Sequence, residues 1–346
     1  MSQQVTFRPV AFAELDGWAA DDHAAAFRAF LKTCRVARHG EAIAADAVAL
    51  GDGADATAAR TFFERHFQPH VVEAKEPGLV TGYYEPEVHG AYKPADRFPA
   101  PVYGRPEDLI TRADETERAR FNDRVTGFRA TPNGEVPYYT RAEIETGALQ
   151  GRGLELLYLD DAVELFYMQV QGSGLVRLDD GTTVRLTYAG KNGHPYTSIG
   201  RVLIERGALG ADDIDMDRVK AWLQADEGRG RALMQENLSY VFFRVLGEDE
   251  GRDGPLGGAG VPLTPGRSLA IDTAHHDLGT PVFVTVPDLE IESARSFRRL
   301  MIGQDVGSAI SGCQRGDIFW GTGEEAGAIA GRTRHKPQFH VLLPRR

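Results

Sequence analysis

Three aspartates, Asp272, Asp305 and Asp317, stand beside short apolar runs in the C-terminal part of the chain. Asp305 follows Leu300-Met301-Ile302 in the stretch LMIGQDVGSAISGCQRGDIFWG (300–321), and Asp317 directly precedes Ile318-Phe319-Trp320. Strand ends and the loops beside them are where rigid scaffolds hold chemistry. Paired carboxylates suit glycoside cleavage: one protonates the leaving oxygen, and another supports the cationic transition state. Crowding two carboxylates raises the pKa of one and keeps it an acid near neutral pH. An isolated Asp-x-Gly is more often a turn, so the three acids gain meaning only if their strands converge, for example in one barrel.

Two further words offer polar groups to a sugar. In Thr81-Gly82-Tyr83-Tyr84 and Gln171-Gly172-Ser173-Gly174, hydroxyls and an amide can hydrogen-bond, tyrosine adds a stacking face, and glycine lets a polymer approach the backbone. Thr81, Gly82, Tyr84, Gln171, Gly172, Ser173 and Gly174 are therefore candidate substrate-binding residues. The competing reading is hairpin punctuation and half-buried strand tyrosines. Ser173 lacks the Gly-x-Ser-x-Gly elbow of a serine nucleophile. Cys313, close to Arg315 and with a partner such as His335, is a rival nucleophile. The neighbours His275 and His276 face opposite ways on a strand, so a turn explains them better than a shared metal. There is no Cys-x-x-Cys, and neither a metal nor a cofactor is expected.

The elements that position these residues follow from spacing. Phe27, Phe30, Leu31 and Cys34 share one helix face, with Asp22 as N-cap, and Cys34 reads as a small buried residue of that face. A second helix is expected over 57–67, with Gly51–Gly53 between the two. Leu79–Tyr84 reads as a strand ended by Glu85-Pro86. From Tyr92 to Pro137 the chain reads as mostly loop, with a charged middle over Arg112–Arg124. Thr140 and Glu143 have capping-box spacing, starting a helix to about Leu149. Leu154–Asp160 and Val163–Val170 read as strands around Asp160-Asp161. Leu175–Leu178 and Thr182–Tyr188 form a hairpin over Asp179-Asp180-Gly181, giving a compact all-β unit. Helices follow at 198–206 and 217–224, then a strand at Tyr240–Val245. The remainder is β-rich (267–271, 281–286, 300–302, 318–320, 339–343), with a helix signal only at Glu324–Ala330.

The chain has 346 residues, 42% hydrophobic and 26% charged, enough for two domains. Its 39 glycines and 18 prolines imply many turns and short strands. A net charge of −11 argues against nucleic acid as main partner, because phosphate binding needs a basic face. A neutral polysaccharide remains compatible. No apolar run has the length of a transmembrane segment, and no secretory signal is visible at the N-terminus.

The sequence resembles the MltA family of membrane-bound lytic murein transglycosylases, which ends in a 3D (three-aspartate) domain. The matching words are TGYYEP, PYYTRAEIETGAL, FYMQVQGSG, YAGKNGHPYTSIGR, NLSYVFFR, LGTPVFV, IGQDVGSAISG and RGDIFWGTG, in family order from about Gly78 to the end. Two positions depart from the common family word, Ser308 and Ser311. The resemblance implies a mainly β fold with peripheral helices. A double-psi β-barrel catalytic domain would be built from 1–86 together with 236–346. A smaller β-rich domain, 87–235, would be inserted and form the other wall of a glycan groove. It implies a lyase-type enzyme that cleaves the β-1,4 bond between N-acetylmuramic acid and N-acetylglucosamine without water, leaving 1,6-anhydromuramic ends. Asp317 would be the single acid-then-base, Asp305 its neighbour and helper. Asp272, and Tyr196 in YAGKNGHPYTSIGR, join the substrate-binding set. Peptidoglycan strands, and with them other cell-wall enzymes, are the implied partners, in the periplasm at the outer membrane. The alternatives are a non-catalytic peptidoglycan-binding module and a Cys313-dependent transpeptidase. A peptidase-like dyad would need a second Asp-x-Gly-Ser word, and there is none.

Overall fold

The computed structural model describes residues 5–34, 40–112, 125–211, 214–291, 296–307 and 309–345. Of the charged stretch Arg112–Arg124, all but Arg112 lies outside the described residues, as does Ser308. The chain divides into two compact units, Met1–Tyr84 with Glu250–Arg346, and Glu85–Asp249.

The first unit carries a nine-stranded sheet. Its strands are β1 (Thr6–Pro9), β2 (Phe67–Glu73), β3 (Leu79–Glu85), β4 (Ser268–Ile271), β5 (Pro281–Val286), β6 (Phe297–Asp305), β7 (Arg315–Thr322), β8 (Arg334–His335) and β9 (Gln338–Pro344). Their order is β1-β2-β9-β5-β6-β4-β7-β3-β8, and among the described residues the sheet does not close into a barrel. The β4–β6 pair is parallel, while β5–β6, β4–β7 and β3–β8 are antiparallel. Parallel neighbours need a crossover. Here β5 and its turns make it, so the two acid-bearing strands β6 and β7 end up on either side of β4.

Three N-terminal helices pack on this sheet: α1 (His23–Thr33), α2 (Glu41–Leu50) and α3 (Ala56–His66). Asp22 caps α1 through the Ala25 N–H, and Asp55 caps α3 through the Ala58 N–H. Phe27, Phe30, Phe62, Phe63 and Phe67 interlock with Trp18, Phe283, Leu300 and Ile302 in one buried cluster. Burial of each such ring stabilises by ~2 kcal/mol. The α2 helix was not anticipated: it is alanine-rich and buries only Ile43 and Ala47, so it shows no apolar stripe. Beneath the helices, Arg267 grips Asp21 bidentately, both contacts at 2.9 Å and both side chains nearly buried. Asp21 also accepts the Leu300 N–H at 2.7 Å, tying the N-terminal turn to β6.

The second unit holds a six-stranded sheet, in the order Val241–Val245, Thr183–Lys191, Ser173–Leu178, Glu87–Ala91, Glu155–Leu159, Ala100–Tyr103. A three-stranded sheet adds Ile110–Thr111, Gly127–Thr131 and Gly134–Pro137. The expected loop over Tyr92–Pro137 therefore contains four short strands. Residues 163–170, expected as a strand, lie in the helix Ala162–Gln171, N-capped by Asp161. Val163, Phe166 and Tyr167 are buried on it at helical spacing. β-Branched and aromatic residues suggested a strand, and packing decided otherwise. With Ile199–Glu205, Met216–Gln224 and Glu227–Met234 also helical, this unit is mixed rather than all-β. It extends to Asp249, past the expected boundary at residue 235, because Val241–Val245 pairs with Thr183–Lys191.

Buried polar side chains hold its turns. Asn192 satisfies four backbone groups, donating to the Tyr139 and Leu238 carbonyls and accepting from the His194 and Tyr240 N–H groups. Arg141, 2% exposed, donates to the Asn237 and Ser239 carbonyls and lies over the Phe166 ring.

Candidate active site

Asp317 sits near the start of β7. Its Oδ1 accepts a 2.6 Å hydrogen bond from the Thr81 hydroxyl on neighbouring β3. Burial pushes the Asp317 pKa up to about 6; the Thr81 hydroxyl and the Arg315 guanidinium pull against this, and the charge of Asp305 adds to it. A carboxyl with that value is about one-tenth protonated at pH 7, enough to serve as a general acid.

Asp305 ends β6 and is held differently. Its Oδ2 accepts from the Tyr83 hydroxyl at 2.7 Å, and its Oδ1 accepts from the Gly258 and Val306 N–H groups, both at 2.8 Å. Burial raises its pKa too, but these three donors oppose the rise. Donors aimed at a carboxylate favour the ionised form. Asp305 is thus held by three donors where Asp317 accepts from Thr81, a difference set by environment rather than residue type. Its neighbour Gln304 is fully buried, accepting from the Ser268 hydroxyl and donating to the Ala29 carbonyl. That anchors the end of β6 to β4 and α1.

The register brings the two acids together. Ala270 on β4 is the partner of Asp305 on one side and of Asp317 on the other. At about 4.8 Å per strand, their Cα atoms lie roughly 10 Å apart. Thr81 and Tyr83 are two residues apart on β3 and so share a face. One reaches Asp317 and the other Asp305, so both carboxylates lie on that face. The Tyr83 ring rests on Phe319 at 5.3 Å. Ala270 is itself buried, in one apolar cluster with Tyr83, Leu263, Ile310 and Phe319.

Asp272 and His276 brace the connection from β6 to β7. Asp272 accepts from the Ala274 N–H at 2.9 Å and the Gly312 N–H at 2.6 Å. His276 is buried, and burial lowers its pKa, keeping it neutral. Its Nε2 lies 2.7 Å from the Cys313 carbonyl and must carry the proton, since a carbonyl only accepts. Cys313 itself is 3% exposed, and burial pushes its thiol up. A nucleophilic cysteine needs the opposite shift, so the transpeptidase alternative loses its nucleophile. Among the described residues, no group of three or more His, Cys, Asp or Glu could hold a metal ion.

Comparison with known proteins gives the family of the chain. The family model of the MltA specific insert domain matches residues 79–244, and that of the 3D domain matches residues 267–343. The crystal structure of a membrane-bound lytic murein transglycosylase from Agrobacterium tumefaciens is 35% identical, with 98% of each chain covered and a TM-score of 0.85. The chain belongs to the MltA family. A membrane-bound lytic murein transglycosylase A from Vibrio cholerae is 37% identical over 262 residues, 74% of this chain and 63% of that protein. The match thus spans less than two-thirds of the length of this curated relative. The structure of Escherichia coli MltA with bound chitohexaose is 27% identical, covering 98% of this chain and 95% of that one, with a TM-score of 0.71.

Within this MltA-family chain the expected site residues have distinct surroundings. Thr81, Asp305 and Asp317 come together in the first unit, joined by Tyr83, which sequence reasoning left out of the site. The two-residue alternation from Thr81 was the available signal. Gly82 faces the other way: a Cβ there would lie 2.5 Å from the Trp320 indole nitrogen. Tyr84 is 5% exposed and packs on Gly327, in the helix α4 (Glu324–Arg332). In the second unit Gln171 ends a helix, and Gly172, at φ +88°, is its left-handed cap. Ser173 and Gly174 begin a strand, where a Cβ on Gly174 would strike Met168. Tyr196 is 41% exposed.

Proposed function

We propose that this protein is a lytic transglycosylase cleaving the β-1,4 bond between N-acetylmuramic acid and N-acetylglucosamine in peptidoglycan. The observation that carries the reading is a carboxyl with a pKa of about 6, on one sheet face with a second, better-held carboxylate. In the first step protonated Asp317 gives its proton to the glycosidic oxygen as the bond to the anomeric carbon breaks. The sugar gains oxocarbenium character, which ionised Asp305 stabilises. In the second step the Asp317 carboxylate takes the proton of the muramic C6 hydroxyl while that oxygen bonds to the anomeric carbon. A 1,6-anhydro ring forms, Asp317 is again protonated, and no water is consumed. Because the nucleophile belongs to the substrate, a second carboxylate is not needed to activate water.

The likeness to lytic murein transglycosylases and the chitohexaose bound to the Escherichia coli protein support this substrate class. In this reading the unit containing Asp305 and Asp317 is catalytic. The parallel β4–β6 pair among antiparallel neighbours supports a double-psi arrangement for it. The unit Glu85–Asp249 supplies glycan contacts through Gln171–Gly174 and Tyr196. Asp272 fixes the loop beside Asp317. The relatives are described as membrane-bound, which supports a periplasmic, membrane-associated setting. No described helix is long and apolar enough to cross a membrane. The test is release of soluble muropeptides from purified sacculi. Asp317→Asn should lower it at least about a thousandfold while keeping the native circular dichroism. Near-normal release by a folded Asp317→Asn protein would refute the reading, and binding to sacculi without release by the wild type would favour a binding module.

A further inference from the structure

The mechanism leaves a cationic cluster beside Asp317 unused. Arg315 lies two residues before Asp317 on β7 and so on the same face. Arg334 on β8 is the register partner of Thr81, the residue bonded to Asp317. Cross-strand partners have Cβ atoms about 5 Å apart, which sets Arg334 at the edge of the site. The guanidinium of Arg315 is tied to the Leu79 and Gly316 carbonyls. Arg334 and Lys336 are exposed, and among the described residues neither has a carboxylate partner. The run Arg332-Thr333-Arg334-His335-Lys336 stands out in a chain of net charge −11. For the acid alone these cations are unfavourable, since positive charge beside Asp317 weakens its hold on the proton. Their presence is explained if an anion joins them when substrate binds.

We propose that Arg334, with Lys336, forms a cationic lip that receives a carboxylate of the stem peptide borne by the muramic residue. The inference rests on the transglycosylase reading. The N-acetylated sugars of the strand are neutral, so its anionic groups belong to the peptide. The bound carboxylate neutralises the lip, strengthens the hold of Asp317 on its proton, and so ties acid catalysis to peptide-bearing strands.

The test uses the full chain carrying Asp317→Asn, which leaves ligand uncleaved. Calorimetry compares a peptide-bearing muramyl tetrasaccharide with the same ligand whose stem-peptide carboxylates are converted to neutral amides. The carboxylate-bearing ligand should bind more tightly. That preference should fall about tenfold with Arg334→Glu, since reversing an exposed charge loses one favourable pair and adds a repulsive one. It should survive Arg334→Lys, and Lys336→Glu should lower it independently if Arg334→Glu fails to fold. With otherwise wild-type enzyme, the alkaline limb of kcat should lie higher on strands with free stem-peptide carboxylates than on strands whose peptide carboxylates are amidated, a shift Arg334→Glu removes. An unchanged preference in both charge-reversal proteins, or equal binding of the two ligands, would overturn the lip. A wild-type enzyme that releases no anhydro product from either strand would sink the transglycosylase reading, while the binding ratio would still decide the lip.

Discussion

At the scale of residues, the donors around two aspartates set them apart. Asp317 accepts from Thr81 and is raised to about 6, whereas Asp305 is gripped by Tyr83, Gly258 and Val306. Catalysis that needs protonated Asp317 should therefore fall as pH rises through about 6. Arg315 lowers the Asp317 pKa, so Arg315→Gln should move that alkaline limb to higher pH; an unmoved or lowered limb in the kcat profile would contradict the assignment. Tyr83→Phe removes one of three donors from Asp305 and should cost kcat about 10- to 100-fold with little change in KM. The acids were legible in the sequence because Asp-x-Gly and Arg-Gly-Asp bracket apolar runs. Tyr83 was not singled out, because neighbouring tyrosines in one strand look alike until the pleat decides which one faces the acids.

At the scale of elements, the site depends on three strands in fixed register. Ala270 on β4 is the register partner of both acids and packs in one buried cluster with Tyr83 and Phe319, so Ala270→Leu should overpack the strand between the acids and displace Tyr83. The expected result is loss of most activity, with a folded protein by circular dichroism; full activity would mean that this packing does not position the acids. Gly82 lets β3 lie against Trp320. Gly82→Ala should destabilise by about 1–3 kcal/mol through overpacking, measured as a lowered midpoint in urea. Most strands and capped helices were legible from alternation and from Asp22 and Thr140 as caps. The α2 helix and the helix Ala162–Gln171 were not. The first lacks an apolar stripe, and the second has strand-like composition, so tertiary packing settled both.

At the scale of the whole molecule, holding Asp317 as an acid weakens the fold. Its pKa is 3.8 when unfolded and about 6 when folded, so the native state binds more protons between those values. Stability from this group therefore falls as pH rises from about 4 to 6, by at most ~3 kcal/mol. Asp317→Asn should raise the unfolding temperature at pH 7.5, and the gain should vanish near pH 4. Buried His23 and His276 act oppositely: burial lowers their pKa, so the unfolded chain takes up protons first and stability falls below about pH 6.5. Because both proteins share these histidines, the difference between them isolates Asp317. A two-unit organisation was implied by the family resemblance. The boundary at Asp249 was not, because only strand pairing assigns Val241–Val245. The most direct test of the central claim is digestion of sacculi in heavy-oxygen water, with the released muropeptides weighed by mass spectrometry. Intramolecular attack by the C6 hydroxyl predicts products one water lighter than hydrolysed muropeptides and free of heavy oxygen. Reducing ends carrying heavy oxygen would contradict it and require a base that activates water.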